Sequence, residues 1–141
     1  MSMLRVNHLH PDARTIERKS VFAAGHDIYS IEYVVLPSRG SLLVSTGIAI
    51  QLPKNTYGQI APRSGLSVKG IDVGAGIIDE DYRGELKVLL RNQSDQDIPL
   101  EKHERIAQLL VLPVIYPIVV TTNVLDESVR GESGFGASGK M

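Results

Sequence analysis

The chain has 141 residues, with 15 Lys and Arg against 16 Asp and Glu, and no cysteine. This length fits one globular domain, and the composition excludes disulfides and thiolate metal sites. The balanced charge gives no general attraction to nucleic acid or membranes, and no apolar run is long enough for a signal segment or a membrane span. We therefore expect an intracellular protein, cytoplasmic or nuclear, that binds neither nucleic acid nor membrane.

Short apolar and β-branched runs, most of them separated by Gly, Pro, Asn or Asp, predict strands along most of the chain. No long stretch has the helical apolar period, so we expect at most one short helical turn, near residues 66–68. Gly47 inside the longest run hints at a β-bulge. The pattern indicates an all-β sandwich or barrel. The predicted strands are residues 34–36, 41–51, 57–61, 77–79, 85–92, 105–112 and 114–120.

The segment 75–88 is predicted to form a β-hairpin. Ile77 and Ile78 lead into a polar tip, Asp79-Glu80-Asp81, and the alternating residues 85–88 lead out. Neighbouring carboxylates repel one another, and a turn with no other task would not need them. The tip is therefore a candidate for chemistry.

Two further segments have no obvious partner within the chain. Residues 111–120 are apolar on both faces and contain two prolines, which keep them off a central strand position. Either another subunit or the same chain covers them, and both alternatives stay open. Residues 126–141 are rich in glycine and polar side chains, so we expect a flexible arm following a β domain at 1–125. With Phe135 as its aromatic, the arm is either a lid or a disordered tail.

Some motifs are weak when taken alone. Residues 134–140 fit the dinucleotide glycine pattern and most of a P-loop, but no helix follows to bind a phosphate. Arg63-Ser64-Gly65 after Pro62 offers a guanidinium, a hydroxyl and an open backbone to a phosphate, although a surface turn is the commoner explanation. Asp27 lies before a predicted strand, and the ordinary alternative to a functional role is a loop residue whose side chain makes a turn. Gln108 lies within a predicted strand, and its ordinary alternative is an amide that faces solvent.

Together these segments resemble the trimeric all-β dUTPase (deoxyuridine triphosphatase) family. That family has five motifs in a fixed order, and this sequence has a counterpart for each. They are residues 24–30, 62–66, 76–84, 105–109 and 130–139.

The resemblance implies a distorted β-barrel or jelly-roll-like fold and hydrolysis of dUTP to dUMP and pyrophosphate with Mg²⁺. This reaction keeps dUTP low and supplies dUMP for thymidylate synthesis. Asp79 would be the general base that activates water, and Asp27 would contact Mg²⁺ through water. Glu80 and Asp81 have no assigned task and are expected to face solvent.

The resemblance also implies a homotrimer with its active sites between subunits, where the arm of one chain reaches the site of another. The backbone near Gly76 would read uracil, Tyr82 would pack against deoxyribose, and Phe135 would stack over the base. The full set of implied substrate-binding residues is Arg63, Ser64, Gly65, Gly76, Ile77, Ile78, Tyr82, Lys87, Gln108, Arg130, Phe135, Gly136 and Ser138.

The sequence departs from the family pattern at several positions. His26 stands where Tyr is common, while Ser133 and Ala137 replace Gly and Ser in the arm. His26 is expected to pack rather than react, and the two arm changes bear on closure of the arm rather than on Asp79. Two rival functions are weighed: a dCTP deaminase, which shares the fold, and a dUTP-binding regulatory protein that has lost turnover. Tyr82 and the intact site residues favour direct hydrolysis.

Overall fold

The computed structural model describes residues 2–136, and the regular secondary structure within that range is almost entirely β. Helix is limited to one four-residue turn, as expected. The elements are β1 Arg5–His8, β2 His26–Tyr29, β3 Val34–Leu36, β4 Ser41–Gln51, β5 Thr56–Ala61, α1 Ser64–Ser67, β6 Ile71–Gly74, β7 Ile77–Ile78, β8 Glu85–Asn92, β9 Ile98–Leu100 and β10 Arg105–Pro113.

Two antiparallel four-stranded sheets enclose the core. One has the order β1-β4-β8-β6 and the other β2-β10-β5-β7, while β3 and β9 form a small third sheet. Strand β8 shows why the sheets face each other, because Leu86, Val88 and Leu90 alternate with more exposed residues and are fully buried. Ile28 and Leu109 are buried from the other sheet into the same core. This confirms the all-β, jelly-roll-like prediction, with separate sheets rather than one closed barrel.

The predicted bulge at Gly47 is present. The β4–β8 register shifts between Ser45 and Ala49. Gly47 has φ +74°, a conformation that favours glycine, and its N–H donates to Glu85 Oε2 at 3.0 Å. The bulge therefore bends β4 and ties it to the first residue of β8.

The predicted hairpin is wrong in its pairing. β7 pairs with β5, through Gly58 opposite Ile78, and so belongs to the other sheet from β8. β8 pairs instead with β4 and β6. The switch occurs at Gly76, whose φ is +103° and whose added Cβ would lie 2.9 Å from the Ile60 carbonyl oxygen. Alternation of side chains predicts a strand, but not the sheet to which it belongs.

The predicted strand at 114–120 is also wrong, because β10 ends at Pro113 and no strand continues beyond it within the described residues. Pro117 cannot donate a ladder hydrogen bond, and large apolar side chains such as Ile118 are about nine-tenths exposed. The short strands β1, β2, β6 and β9 carry too little alternation to be predicted. No helix within residues 2–136 has the length and apolarity to cross a membrane.

Candidate functional site

The first group of predicted site residues meets where β2, β10 and β5 lie side by side. Gln108 on the central strand β10 is opposite Asp27 on one side and Ala61 on the other. Its Nε2 donates to the Pro62 carbonyl oxygen at 3.0 Å. A Cβ added to Gly25 would lie only 2.2 Å from the Gln108 Oε1, so glycine at 25 leaves room for this amide.

Two arginines flank the Asp27 carboxylate. Arg63 Nε lies 3.8 Å from Oδ1, and Arg105 Nη1 lies 3.6 Å from Oδ2. Arg63 Nη1 also donates to the Arg105 carbonyl oxygen at 3.0 Å, which closes a ring of contacts. We call Asp27, Arg63, Arg105 and Gln108 the arginine–aspartate cluster. Two cations and one anion leave it net positive, which suits an anionic ligand.

A local irregularity directs Arg105 toward this cluster. The pairing of β10 with β2 shifts between Arg105 and Ala107, as in a β-bulge. Bulges commonly re-aim side chains beside functional sites. Ser64 and Gly65 follow Arg63 at the exposed start of α1, and a Cβ on Gly65 would meet nothing in this chain. Packing within the chain therefore does not require glycine at 65.

The second group lines a cavity of about 280 Å³ beside the turn that follows β7. The Tyr82 hydroxyl donates to the Glu85 carbonyl oxygen at 2.8 Å, and a Cβ on Gly84 would lie 2.5 Å from that hydroxyl. Tyr82 is thus held by hydrogen bonding and by the absence of a side chain at 84. We call this space the turn cavity. Its lining residues are Leu43, Ile77, Ile78, Asp79, Tyr82, Glu85 and Lys87.

The turn itself spans Asp79 to Tyr82, whose N–H donates to the Asp79 carbonyl oxygen at 3.1 Å. Asp79 and Asp81 are exposed, but Glu80 is half-buried, which corrects the expectation that it faces solvent. Glu80 Oε1 accepts the Asn55 N–H at 2.8 Å and the Tyr116 hydroxyl at 2.9 Å. The bond to Glu80 raises the pKa of the Tyr116 phenol above its ordinary value.

Within one chain the two groups are separate. Asp79 follows Ile78, which pairs with Gly58, whereas Gln108 pairs with Ala61. Asp79 and Gln108 therefore lie on opposite sides of β5 and roughly 13 Å apart along it. A ligand of nucleotide size touching both groups in a single chain would have to cross β5.

The predicted arm residues that the structure describes form a third group. Phe135 and Gly136 are exposed, and Arg130 Nε donates to the nearby Ser133 carbonyl oxygen. Among the described residues, hydrogen bonds of Arg130 stay within the arm. Ser138 lies outside the described residues.

The metal prediction has limited support from side chains. Within residues 2–136 there is no group of three or more His, Cys, Asp or Glu that could hold a metal ion. Asp27 offers carboxylate oxygens, which suit Mg²⁺, but two arginines already flank it. These residues fit a Mg²⁺ ion held mainly by ligand phosphates and touched by Asp27 through water.

Sequence alone assigns no role to three residues that the structure brings to the site: Gly25, Glu80 and Arg105. Arg105 and Gly25 lie within quoted motifs, so their positions were a usable signal. The contacts of Glu80 depend on Asn55 and Tyr116, which are distant in sequence and gave no signal. Fold and side chains together describe an all-β protein with a cationic cluster and a separate cavity beside the Asp79 turn.

Known proteins are similar to this chain in sequence and in fold. The dUTPase family model matches residues 12–139. The deoxyuridine 5'-triphosphate nucleotidohydrolase of Paramecium bursaria Chlorella virus 1 is 51% identical over 140 residues, covering 99% of each chain. That of Oryza sativa subsp. japonica is 46% identical over 138 residues, covering 97% of this chain and 81% of its own. A solved Staphylococcus bacteriophage 80alpha dUTPase with dUPNHPP has a TM-score of 0.89 at 31% identity, covering 97% of this chain and 98% of the phage chain. The chain belongs to the dUTPase family, which confirms the resemblance.

Proposed function

We propose that the protein hydrolyses dUTP to dUMP and pyrophosphate in a Mg²⁺-dependent reaction, with Asp79 as the general base. The observation that carries the proposal is the presence of two separate groups with complementary chemistry in one chain. The arginine–aspartate cluster suits a triphosphate, and the turn cavity beside Asp79 suits a nucleoside. Family membership and relatives named for this activity support the substrate. Such an enzyme would act on an intracellular nucleotide pool, cytoplasmic or nuclear.

In the proposed reaction Asp79 takes a proton from water as the water oxygen bonds to the α-phosphorus. The bond from the α-phosphorus to the bridging oxygen breaks, and pyrophosphate leaves with that electron pair. The Asp79 side chain is exposed, so water and the ligand can reach its carboxylate. Bound Mg²⁺ would neutralise phosphate charge and orient the triphosphate. Arg63, Ser64, Gly65 and Gln108 hold its oxygens.

The turn cavity would hold the nucleoside. Tyr82 offers a ring face to the deoxyribose and excludes a 2′-hydroxyl by contact, and Lys87 adds a cation at the wall. Ile77 and Ile78 provide apolar and backbone contacts to uracil. The Ile60 N–H donates to the Gly76 carbonyl oxygen at 2.8 Å and occupies one of its two lone pairs. The second lone pair stays available to contact the base. Phe135, with Arg130, Gly136 and Ser138, closes over the ligand.

The active form is proposed to be a homotrimer with sites between subunits. Because Asp79 and the cluster are far apart in one chain, a complete site needs Asp79 from one copy and the cluster from another. The exposed apolar side chains of the segment 114–125 offer a surface to the neighbouring copy. They are Ile115, Tyr116, Ile118, Val119, Val120, Val124 and Leu125.

The test is release of pyrophosphate and dUMP from dUTP with and without Mg²⁺, alongside dCTP, dTTP and UTP. We expect rapid turnover of dUTP alone. Ammonia released from dCTP would favour the deaminase instead, and tight dUTP binding without turnover would favour a regulatory protein. Light scattering or native mass spectrometry measures the assembly. A fully active monomer would overturn the trimer.

A further inference from the structure

The Glu80 carboxylate joins three separate parts of the chain. It belongs to the turn that carries Asp79, and its Oε1 accepts the N–H of Asn55 at 2.8 Å and the hydroxyl of Tyr116 at 2.9 Å. Asn55 lies between β4 and β5, and Tyr116 lies just after β10. A half-buried carboxylate with two donors on one oxygen is strongly oriented.

The turn has few other side-chain hydrogen bonds, and the one from the Tyr82 hydroxyl reaches only the adjacent Glu85 carbonyl oxygen at the start of β8. Residues 79–84 lie outside every strand, because β7 ends at Ile78 and β8 begins at Glu85. Arg83 Nη1 donates to the carbonyl oxygens of Glu80 at 2.8 Å and Tyr82 at 3.2 Å, but these bonds stay within the turn. Glu80 therefore links the turn to Asn55 and Tyr116 outside it.

The two donors are themselves joined. The Val114 N–H donates to the Asn55 carbonyl oxygen at 3.0 Å. The chain leaving β10 is thus held to the same loop that bonds Glu80. Asp79, Glu80, Val114 and Tyr116 line a shared cavity of about 320 Å³ with Tyr57 and Ile77.

The same contacts decide which carboxylate faces the turn cavity. Asp79 lines that cavity, whereas Glu80 lies on the other side, beside Tyr116. If Glu80 were released, a second negative charge would be free to approach Asp79, and repulsion would disturb the geometry of the base.

We propose that Glu80 is a positioning residue for Asp79, and that through Tyr116 it couples the geometry of the base to the exposed segment that follows β10. This inference rests on the proposed hydrolysis of dUTP. A shift of residues 114–125, where we propose that the subunits meet, would therefore displace the Asp79 carboxylate. An isolated or misassembled chain would then hold its base poorly.

The test compares Glu80→Ala, Glu80→Gln and Tyr116→Phe with Asp81→Ala as the matched control, since Asp81 is an exposed neighbouring carboxylate. We expect Glu80→Ala to lower kcat for dUTP roughly tenfold or more, because small misplacement of a reacting group is costly. KM and the solution mass should stay unchanged. Glu80→Gln, whose amide oxygen still accepts both bonds, and Tyr116→Phe should lie between Glu80→Ala and the wild type. The double variant Glu80→Ala with Tyr116→Phe should be no worse than Glu80→Ala.

A readout independent of turnover is the titration of Tyr116, followed by NMR of labelled tyrosine. Its pKa should fall toward the ordinary value in Glu80→Gln, since the carboxylate raises it. Normal kcat in Glu80→Ala, or an equal loss in Asp81→Ala, would overturn the proposal even if wild-type hydrolysis is confirmed. If Glu80→Ala does not fold, kcat is measured for Glu80→Gln and Tyr116→Phe instead, and normal kcat in both would overturn the proposal. A wild-type protein that fails to hydrolyse dUTP would instead refute the proposed function, whatever Tyr116 does.

Discussion

The arginine–aspartate cluster and the Asp79 turn are built in opposite ways. Asp27, Arg105 and Gln108 lie on the adjacent strands β2 and β10, Gln108 is paired on both sides, and Arg63 follows the neighbouring strand β5. The Asp79 turn lies outside the strands and is held by side chains, chiefly Arg83 and Glu80. Rigid strands suit the binding of a charged group at a set position, while a turn held by a few hydrogen bonds is easily displaced. Changes at the turn should therefore affect kcat, and changes at the cluster should affect binding.

Among the variants that test this contrast, Asp79→Asn is expected to change kcat most. Removing a general base lowers kcat by about 10²–10⁴-fold, while an amide of equal size leaves the cavity intact. Steady-state pyrophosphate release measures kcat, and calorimetry with a non-hydrolysable dUTP analogue measures binding. Asparagine at 79 with normal turnover would show that the base lies elsewhere.

The second-largest effect on activity is expected from removal of residues 130–141. The arm has no hydrogen bond to the sheets among the described residues, so the truncated chain should fold and assemble normally. We expect kcat/KM to fall roughly 100-fold, because the arm no longer orders the ligand. Circular dichroism and mass check the fold. A rate equal to that of the full chain would make the arm a simple tail.

Gly25→Ala is expected to have a smaller effect, confined to the cluster. The new Cβ would lie 2.2 Å from Gln108 Oε1, so the flexible amide must move while the strands stay paired. KM should rise about tenfold, the loss expected for a hydrogen bond to a charged group, with kcat changed less. Ala24→Ser, a change at the exposed neighbouring residue, is the control. An equal rise in both variants would mean that Gln108 is not the cause.

Arg105→Ala should have the mildest effect. Asp27 would keep Arg63 as its partner, and the Arg105 side chain is 44% exposed, so solvent screens its contribution. We expect a few-fold rise in the Mg²⁺ concentration that gives half-maximal rate, with Arg105→Lys closer to the wild type. An unchanged Mg²⁺ requirement in Arg105→Ala would exclude a role for Arg105 in placing Asp27.

Much of the fold followed from local pattern. Strands β3, β4 and β8 were predicted with their observed bounds because they are long or well separated by turn residues. Gly47 was predicted as a bulge because glycine interrupts an apolar run. Strand pairing was less predictable. Residues 77–79 and 85–88 resemble a hairpin locally, yet the chain turns at Gly76 and β7 pairs with β5 in the other sheet.

The site was predictable where a motif is contiguous and unpredictable where contacts are distant. Asp79 and Tyr82, which belong to the motif at 76–84, line one cavity, and Lys87 from outside that motif lines it too. The contact of Glu80 with Tyr116 joins residues 36 positions apart, and no local pattern encodes it. Residues 114–120 look like a strand because they are apolar, but they have no strand partner within the described part of the chain.

The most direct test of the central claim, that one site uses residues of different copies of the chain, is complementation between two inactive variants. Asp79→Asn and Arg63→Ala are refolded separately and together, and dUTP hydrolysis is measured in each sample. If sites form between copies, mixed assemblies contain some sites with both Asp79 and Arg63, and activity rises well above the sum of the separate variants. Activity no higher than that sum, in samples whose mixing is verified by mass, would contradict the account.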